Sequence, residues 1–225
     1  FYIYIVMYFG AILYLSASTV ITAREFQNRS RLLIYPLILF VMAETIIQVA
    51  LPELHVTWLC VTLLSVLYFI YCSEMWNQLD ALTGLLNQNS YLKQTGGVRY
   101  KGGVMVVFDV DDFKQINDRY GHIQGDLCLA GIAECIKKSY ANFGYCYRIG
   151  GDEFCVLLKN GGNEGRCKQE FLQRLQEKRG EIAFLPTVSY GSAPFSGEDI
   201  VKVKDRADQD MYQYKKERKN RKRLS

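Results

Sequence analysis

Histidine is scarce in this chain: His55 and His122 are the only two among 225 residues. Seven cysteines are present, but no two form a Cys-x-x-Cys pair and their number is odd. That pattern excludes a structural zinc site and a closed disulfide framework, and small buried thiols in a reducing compartment account for it. Internal repeats and low-complexity tracts are also absent. Charge is missing over long stretches: residues 1–23 and 55–72 carry none, and residues 32–51 carry only Glu44. Each stretch is close to the ~20 apolar residues that a membrane helix needs, so three transmembrane helices are expected, at about 1–23, 32–51 and 55–72. Glu44 is costly in lipid and is expected to face another helix or lie near an interface. A packing contact satisfied by Thr45 or a neighbouring helix is expected there in preference to a ligand- or proton-sensing position.

Arg24, Arg29 and Arg31 lie between the first two runs, whereas Pro52-Glu53-Leu54-His55 has no Lys or Arg. The positive-inside rule then puts the first loop, and everything after the third run, in the cytoplasm. The expectation is a multi-pass protein of the inner (cytoplasmic) membrane with the lipid bilayer as a partner. Because the chain opens on Phe1 rather than Met, further membrane helices upstream are expected. Residues 73–80 read as a linker helix, and residues 81–225 as a separate domain. Nothing in the sequence points to nucleic acid as a partner.

That domain contains Gly150-Gly151-Asp152-Glu153-Phe154, set between the apolar runs Tyr145-Cys-Tyr-Arg-Ile and Cys155-Val-Leu-Leu. The pattern is strand, tight turn, strand, with glycines where a side chain would obstruct the turn. Gly150 and Gly151 let a phosphate approach the backbone, and Asp152 and Glu153 can hold Mg²⁺ against it. A second acidic site follows the short apolar run Val104-Met-Val-Val-Phe108, which ends in Asp109-Val110-Asp111-Asp112. Acids at the end of a buried strand make poor core and a good cation site. Asn117, Gly121-His122 and Gly125-Asp126 come next.

The strings Asp109-Val-Asp-Asp-Phe-Lys-Gln-Ile-Asn-Asp-Arg-Tyr-Gly-His-Ile-Gln-Gly-Asp126 and Arg148-Ile-Gly-Gly-Asp-Glu-Phe154, in this order and spacing, resemble the GGDEF family of diguanylate cyclases. The resemblance runs from about residue 80 to residue 220. It implies a nucleotidyl-cyclase-like, ferredoxin/palm-type α+β fold, with an antiparallel-rich sheet and flanking helices. The implied activity condenses two GTP into cyclic di-GMP, releasing two pyrophosphates. The catalyst would be a homodimer with one GTP per half-site and two Mg²⁺ (or Mn²⁺) ions in each.

The resemblance carries over residue by residue. Asp109, Asp152 and the backbone carbonyl of Val110 are the implied metal ligands, with Glu153 assisting the metal or accepting the proton. Lys114 and the backbone amides of Asp112 and Phe113 open a helix, a natural place for phosphates. Asn117 and Asp126 match the guanine readers, and because Asp126 is retained, GTP rather than ATP is the expected substrate. Lys215 and Lys219 match the basic pair that contacts phosphate, with Lys219 standing where the family usually has Arg. Asp111 and His122 are expected to be structural, His122 as a buried hydrogen-bonding residue.

Two departures stand out. Asp80-Ala-Leu-Thr-Gly-Leu-Leu-Asn-Gln88 resembles the family's entry motif, but Gln88 replaces its Arg. The Asp–Arg pairing at the domain entrance is therefore expected to be weakened or replaced, which puts in doubt the coupling of the linker helix to the catalytic domain. The rival reading drawn from such drift is a catalytically degenerate receptor or scaffold that binds nucleotide and signals by contact. The second departure is at the family's inhibitory product site, Arg-x-x-Asp, whose Asp lies six positions before the first hairpin glycine. Here Ala141 and Gly144 take those places, so no inhibitory site is expected.

Periodicity and turn signals after residue 81 predict helices over 88–94, 113–119, 124–140, 164–179 and 198–216. They predict strands over 103–109 and 186–193, with the hairpin around Gly150 between. The basic run beyond residue 216 is expected to be a solvated tail.

Overall fold

The computed structural model describes residues 57–96 and 102–224, together with residues 10, 39, 43, 46, 47 and 50. It divides into two compact units, Phe1–Asn77 and Gln78–Ser225.

In the first unit, helix α1 spans Thr57–Trp76. Leu63, Val66, Leu67, Phe69 and Ile70 on it are exposed. Among the described residues no helix is long and apolar enough to cross a membrane. The third expected span coincides with α1, which runs past residue 72 into Ser73 and Glu74, and it therefore gains no support. The spans expected at 1–23 and 32–51, and Glu44, fall outside the described residues apart from the six single positions. The linker helix also ends early, at Trp76 rather than residue 80.

The second unit is a four-stranded sheet in the order β2-β3-β1-β4, with helices on both faces. Before the sheet, Leu79 bridges Leu86 and helix α2 spans Gln88–Thr95. Strand β1 (Gly103–Val110) lies in the middle, antiparallel to β3 (Glu153–Leu158) on one side and to β4 (Val188–Phe195) on the other. Strand β2 (Gly144–Arg148) completes the sheet antiparallel to β3.

The apolar run of β1 is explained by burial on both faces, where alternation with polar residues has no place. Val104, Val106, Phe108 and Val110 point into one core with α4 (His122–Tyr140) and α5 (Glu164–Glu181). Met105 and Val107 point into the other, which contains Ile200, Val203 and Ala207 of α6 (Ile200–Leu224). A short helix α3 (Phe113–Tyr120) sits between β1 and α4.

Gly191 of β4 is where α6 comes closest. A Cβ there would stand 2.1 Å from the Met211 amide nitrogen and 2.3 Å from the Ala207 carbonyl oxygen. The sequence order of helices and strands is as predicted, with shifts at several ends, of which three matter most. Strand β4 starts at Val188 because Pro186 has no N–H to give to a ladder. Helix α4 starts at His122 instead of residue 124. Helix α6 continues to Leu224, so the predicted tail is helical.

Candidate active site

The register of β1 against β3 sets Asp109 directly opposite Glu153. The same turn ties Asp152 in, since the Val110 amide donates to the Asp152 carbonyl at 3.2 Å. The backbone thus brings Asp109 and the adjacent pair Asp152 and Glu153, more than forty residues further on, to one end of the sheet. The loop between β2 and β3 is closed on Glu153, whose carbonyl accepts from the amides of Ile149 (3.0 Å) and Gly150 (3.4 Å). Asp152 is half-buried and Glu153 exposed, while Gly151 has open space around it. At Gly150 a Cβ would meet the Glu153 carboxylate at 3.2 Å, so glycine keeps that acid's place clear.

Arg148 fixes the turn from below. Its Nη2 donates to the Gly151 carbonyl at 2.7 Å and its Nη1 to the Asp80 carboxylate at 3.0 Å. Burial pushes the Asp80 carboxyl up, but hydrogen bonds from Thr83 and Arg148 outweigh it and hold the group below its ordinary value. The Asp–Arg pairing expected to be weakened or replaced through Gln88 is thus made by Arg148 instead. Gln88 is exposed on α2.

Asp109 receives the ammonium of Lys215, reaching over from α6. The same ammonium lies 3.5 Å from Asp111. Burial alone would lower the Lys215 pKa, but the bond to Asp109 outweighs that and raises it. Asp111 is structural, as expected, and only 5% exposed. It accepts from the hydroxyls of Ser189 (2.7 Å) and Thr187 (2.9 Å) and from Arg218 Nη2 (2.6 Å). Burial pushes the Asp111 carboxyl up, yet these donors hold it below its ordinary value.

Asp112 adopts the left-handed backbone conformation (φ 54°, ψ 30°) at the start of α3, the only non-glycine to do so among the described residues. That conformation costs an ordinary side chain roughly 1–2 kcal/mol. Such strain persists where the surroundings demand it and clusters at functional sites. Phe113 is partly buried and Lys114 is exposed beside it.

Asn117 lies further along α3, and its Oδ1 is buried with no hydrogen-bond partner. Gly125 makes that approach possible, because a Cβ at 125 would stand 1.9 Å from this oxygen. A buried acceptor left open costs free energy until a donor arrives, and the N–H edge of a base would supply one. Asp126, next to Gly125, is exposed and ready to accept. His122 is exposed on α4, not buried as expected, because it occupies the first position of a helix end.

Lys219 lies on α6, and its side chain is outside the described residues. The guanidinium found near the acids belongs to Arg218, one position earlier, which the sequence reading passed over. Its spacing of three from Lys215 was the available signal, because residues at i and i+3 share a helix face. At the place where the family has its inhibitory site, Gly144 is buried at the start of β2. A Cβ there would stand 2.3 Å from the Leu157 carbonyl oxygen.

The acids also bear on metal binding. Among the described residues no three His, Cys, Asp or Glu side chains converge as a preformed cage. Paired carboxylates and backbone carbonyls are hard oxygen donors, and Mg²⁺ characteristically takes one or two carboxylates and completes its shell with water and substrate phosphate. The donor set therefore fits such a cation.

Acids from a hairpin and a neighbouring strand lie with a buried amide and a basic helix on one four-stranded antiparallel sheet with flanking helices. The chain belongs to the GGDEF family: the family model "Diguanylate cyclase, GGDEF domain" matches residues 77–221. Among its relatives, the probable diguanylate cyclase DgcJ of Escherichia coli (strain K12) is 30% identical over 151 residues, covering 63% of this chain and 30% of that protein. Diguanylate cyclase DgcP of Pseudomonas aeruginosa is 35% identical over 159 residues, covering 63% of this chain and 23% of that protein. The chain thus spans less than a third of either relative.

The GGDEF domain of YfiN from Pseudomonas aeruginosa is a structural neighbour, with TM-score 0.50 and 26% identity over 62% of this chain and 89% of that one. The fold is shared as well with the coiled coil and GGDEF domain of Caulobacter crescentus DgcB in complex with c-di-GMP. That pair has TM-score 0.55 and 24% identity, over 71% of this chain and 93% of the other.

Proposed function

We propose that this chain is a diguanylate cyclase, which joins two GTP molecules into cyclic di-GMP and releases two pyrophosphates. The observation that carries the reading is the register of Asp109 against Glu153 with Asp152 tied to Val110. It collects the acids of two distant motifs at one end of the sheet. Family membership supports the same reading.

In each domain the guanine edge is met by Asn117, whose buried oxygen lacks a donor, and by Asp126. Lys114, Lys215 and the amides of Asp112 and Phe113 hold the phosphates, with Lys219 next along α6. Gly150 and Gly151 leave room for them over the hairpin. Glu153, exposed at the hairpin edge, accepts the proton of the attacking ribose 3′-hydroxyl. Asp109, Asp152 and the Val110 carbonyl would hold two Mg²⁺ (or Mn²⁺) ions, which when bound polarise the α-phosphate and acidify the hydroxyl.

Each domain carries one half-site, so the reaction requires a homodimer with the two sites face to face. Control through the first unit, a cytoplasmic-membrane location and a catalytic domain facing the cytoplasm belong to the same proposal. They rest on the charge-free runs and on the arginines at 24, 29 and 31, and membrane fractionation of the full chain tests them.

The purified chain with GTP and Mg²⁺ should release pyrophosphate and form cyclic di-GMP, and Asp152→Ala or Glu153→Ala should each abolish product while the domain stays folded. Full turnover by both variants would remove the metal assignment. Binding of GTP without any product from the wild type would favour the receptor reading instead.

A further inference from the structure

We propose that Arg218 is a positioning residue, which clamps α6 onto Asp111 and so delivers Lys215 to the nucleotide. The inference rests on the reading of Lys215 as a phosphate contact, and it concerns two residues, Asp111 and Arg218, to which that reading gives no part.

Asp111 is a nearly buried carboxylate at the exit of β1. Two of its donors come from the start of β4 and its neighbour, Ser189 and Thr187, and a third from Arg218 on α6. Arg218 grips more than the acid. Its Nη1 donates to the Val188 carbonyl at 3.4 Å, and its Nη2 also bonds to the Thr187 hydroxyl. One guanidinium therefore spans the ends of β1 and β4, using the planar fork that distinguishes Arg from Lys.

Lys215 lies one turn earlier on the same face of α6. Its ammonium bonds to Asp109 and lies 3.5 Å from Asp111, so both cations share one acid. A lysine on a four-carbon stem is loosely held by its own rotamers. Here the helix beneath it is pinned at Gly191, where Met211 and Ala207 pack on β4, and at Arg218. Those two points bracket Lys215, with Met211 and Ala207 on its N-terminal side and Arg218 on its C-terminal side.

The test is equilibrium binding of a GTP analogue whose α,β-bridging oxygen is a methylene, so that pyrophosphate cannot leave. It is run on the full chain and on Arg218→Met, Lys215→Met and the double variant, with thermal unfolding as the check on folding. Loss of a charge-assisted phosphate contact weakens binding by about tenfold or more. Lys215→Met and Arg218→Met should each show that loss, and the double variant should bind no more weakly than Lys215→Met alone. Such non-additivity is what two residues acting through one contact produce.

Arg218→Lys keeps a charge beside Asp111 and guards against a folding failure of Arg218→Met. It should bind the analogue with intermediate affinity. Wild-type affinity in either Arg218 variant overturns the proposal, as do two losses that multiply in the double variant. Wild-type affinity in Lys215→Met overturns the phosphate contact itself, and the positioning role falls with it.

Discussion

Arg148 and Asp80, 68 residues apart, form a part-buried ion pair of 3.0 Å, and the same guanidinium holds the Gly151 carbonyl at 2.7 Å. The entrance of the domain and the turn that carries Asp152 thus hang on one side chain. Removing one partner of such a pair leaves the other partly desolvated, at a cost of about 2 kcal/mol. In a domain of this size that is a fall in Tm of roughly 4–8 °C. Arg148→Met and Asp80→Asn should both show it by thermal unfolding. Arg148→Met should also lose more turnover, because only the arginine touches the hairpin. Gln88→Ala, at an exposed position, should change stability by less than about 0.5 kcal/mol.

Acid should dissolve the same pair. The Asp80 carboxyl is held below its ordinary value in the folded chain. Its contribution is therefore fully present above the unfolded value, about pH 4, and is lost as pH falls through the lower folded value. The stability gap between wild type and Asp80→Asn should be constant from pH 7 to about pH 5 and close below that. Denaturant titrations across the range measure it, and a gap that persisted at low pH would show that Asp80 acts through shape instead of charge.

Gly125→Ala should injure base recognition with little effect on the fold. The new methyl would fall 1.9 Å from Asn117 Oδ1, and the side chain would have to turn away from the position assigned to guanine. Affinity for GTP should fall about tenfold, the scale of a hydrogen bond lost from a buried group. Isothermal titration with GTP reads the loss directly. If the variant also accepted ATP no better than wild type, Asp126 alone would be holding specificity.

Product feedback should be absent at the surface formed by Ala141 to Gly144. Progress curves at saturating GTP should stay linear as product builds up. Installing the missing pair should not create the site either. Aspartate at 144 would push a Cβ to within 2.3 Å of the Leu157 carbonyl oxygen, at the end of the β2–β3 pairing. Overpacking of that kind costs about 1–3 kcal/mol, so Ala141→Arg with Gly144→Asp should lower Tm without conferring inhibition by cyclic di-GMP.

Sequence patterns carried the strands and helices of the catalytic unit well, since Val104 to Phe108 and the hairpin around Gly150 are locally unambiguous. The grouping of Asp109 with Asp152 and Glu153 was legible from motif spacing. What was not legible was partner choice across the chain. Arg148 could have been a solvated strand residue until Asp80 was seen beside it. Arg218 sits in a run of basic residues that reads as tail, and nothing local marks the buried Asp111 as its target. His122 went wrong for the opposite reason: a glycine-flanked histidine looks enclosed in one dimension, yet it opens a helix at the surface.

The central place of β1 divides the acidic site into halves of different stiffness. Asp109 lies one residue before the end of a strand bonded along both edges, to β3 and to β4, and its amide should exchange with deuterium only through opening of the whole domain. Gly150, Gly151 and Asp152 lie in the turn beyond the ladder, which joins β3 to the edge strand β2, and should exchange through small local openings. Deuterium uptake followed with and without nucleotide should then slow at the turn and change little along β1. The site is a fixed jaw and a hinged one, and ligand affinity is set in part by what it costs to still the second.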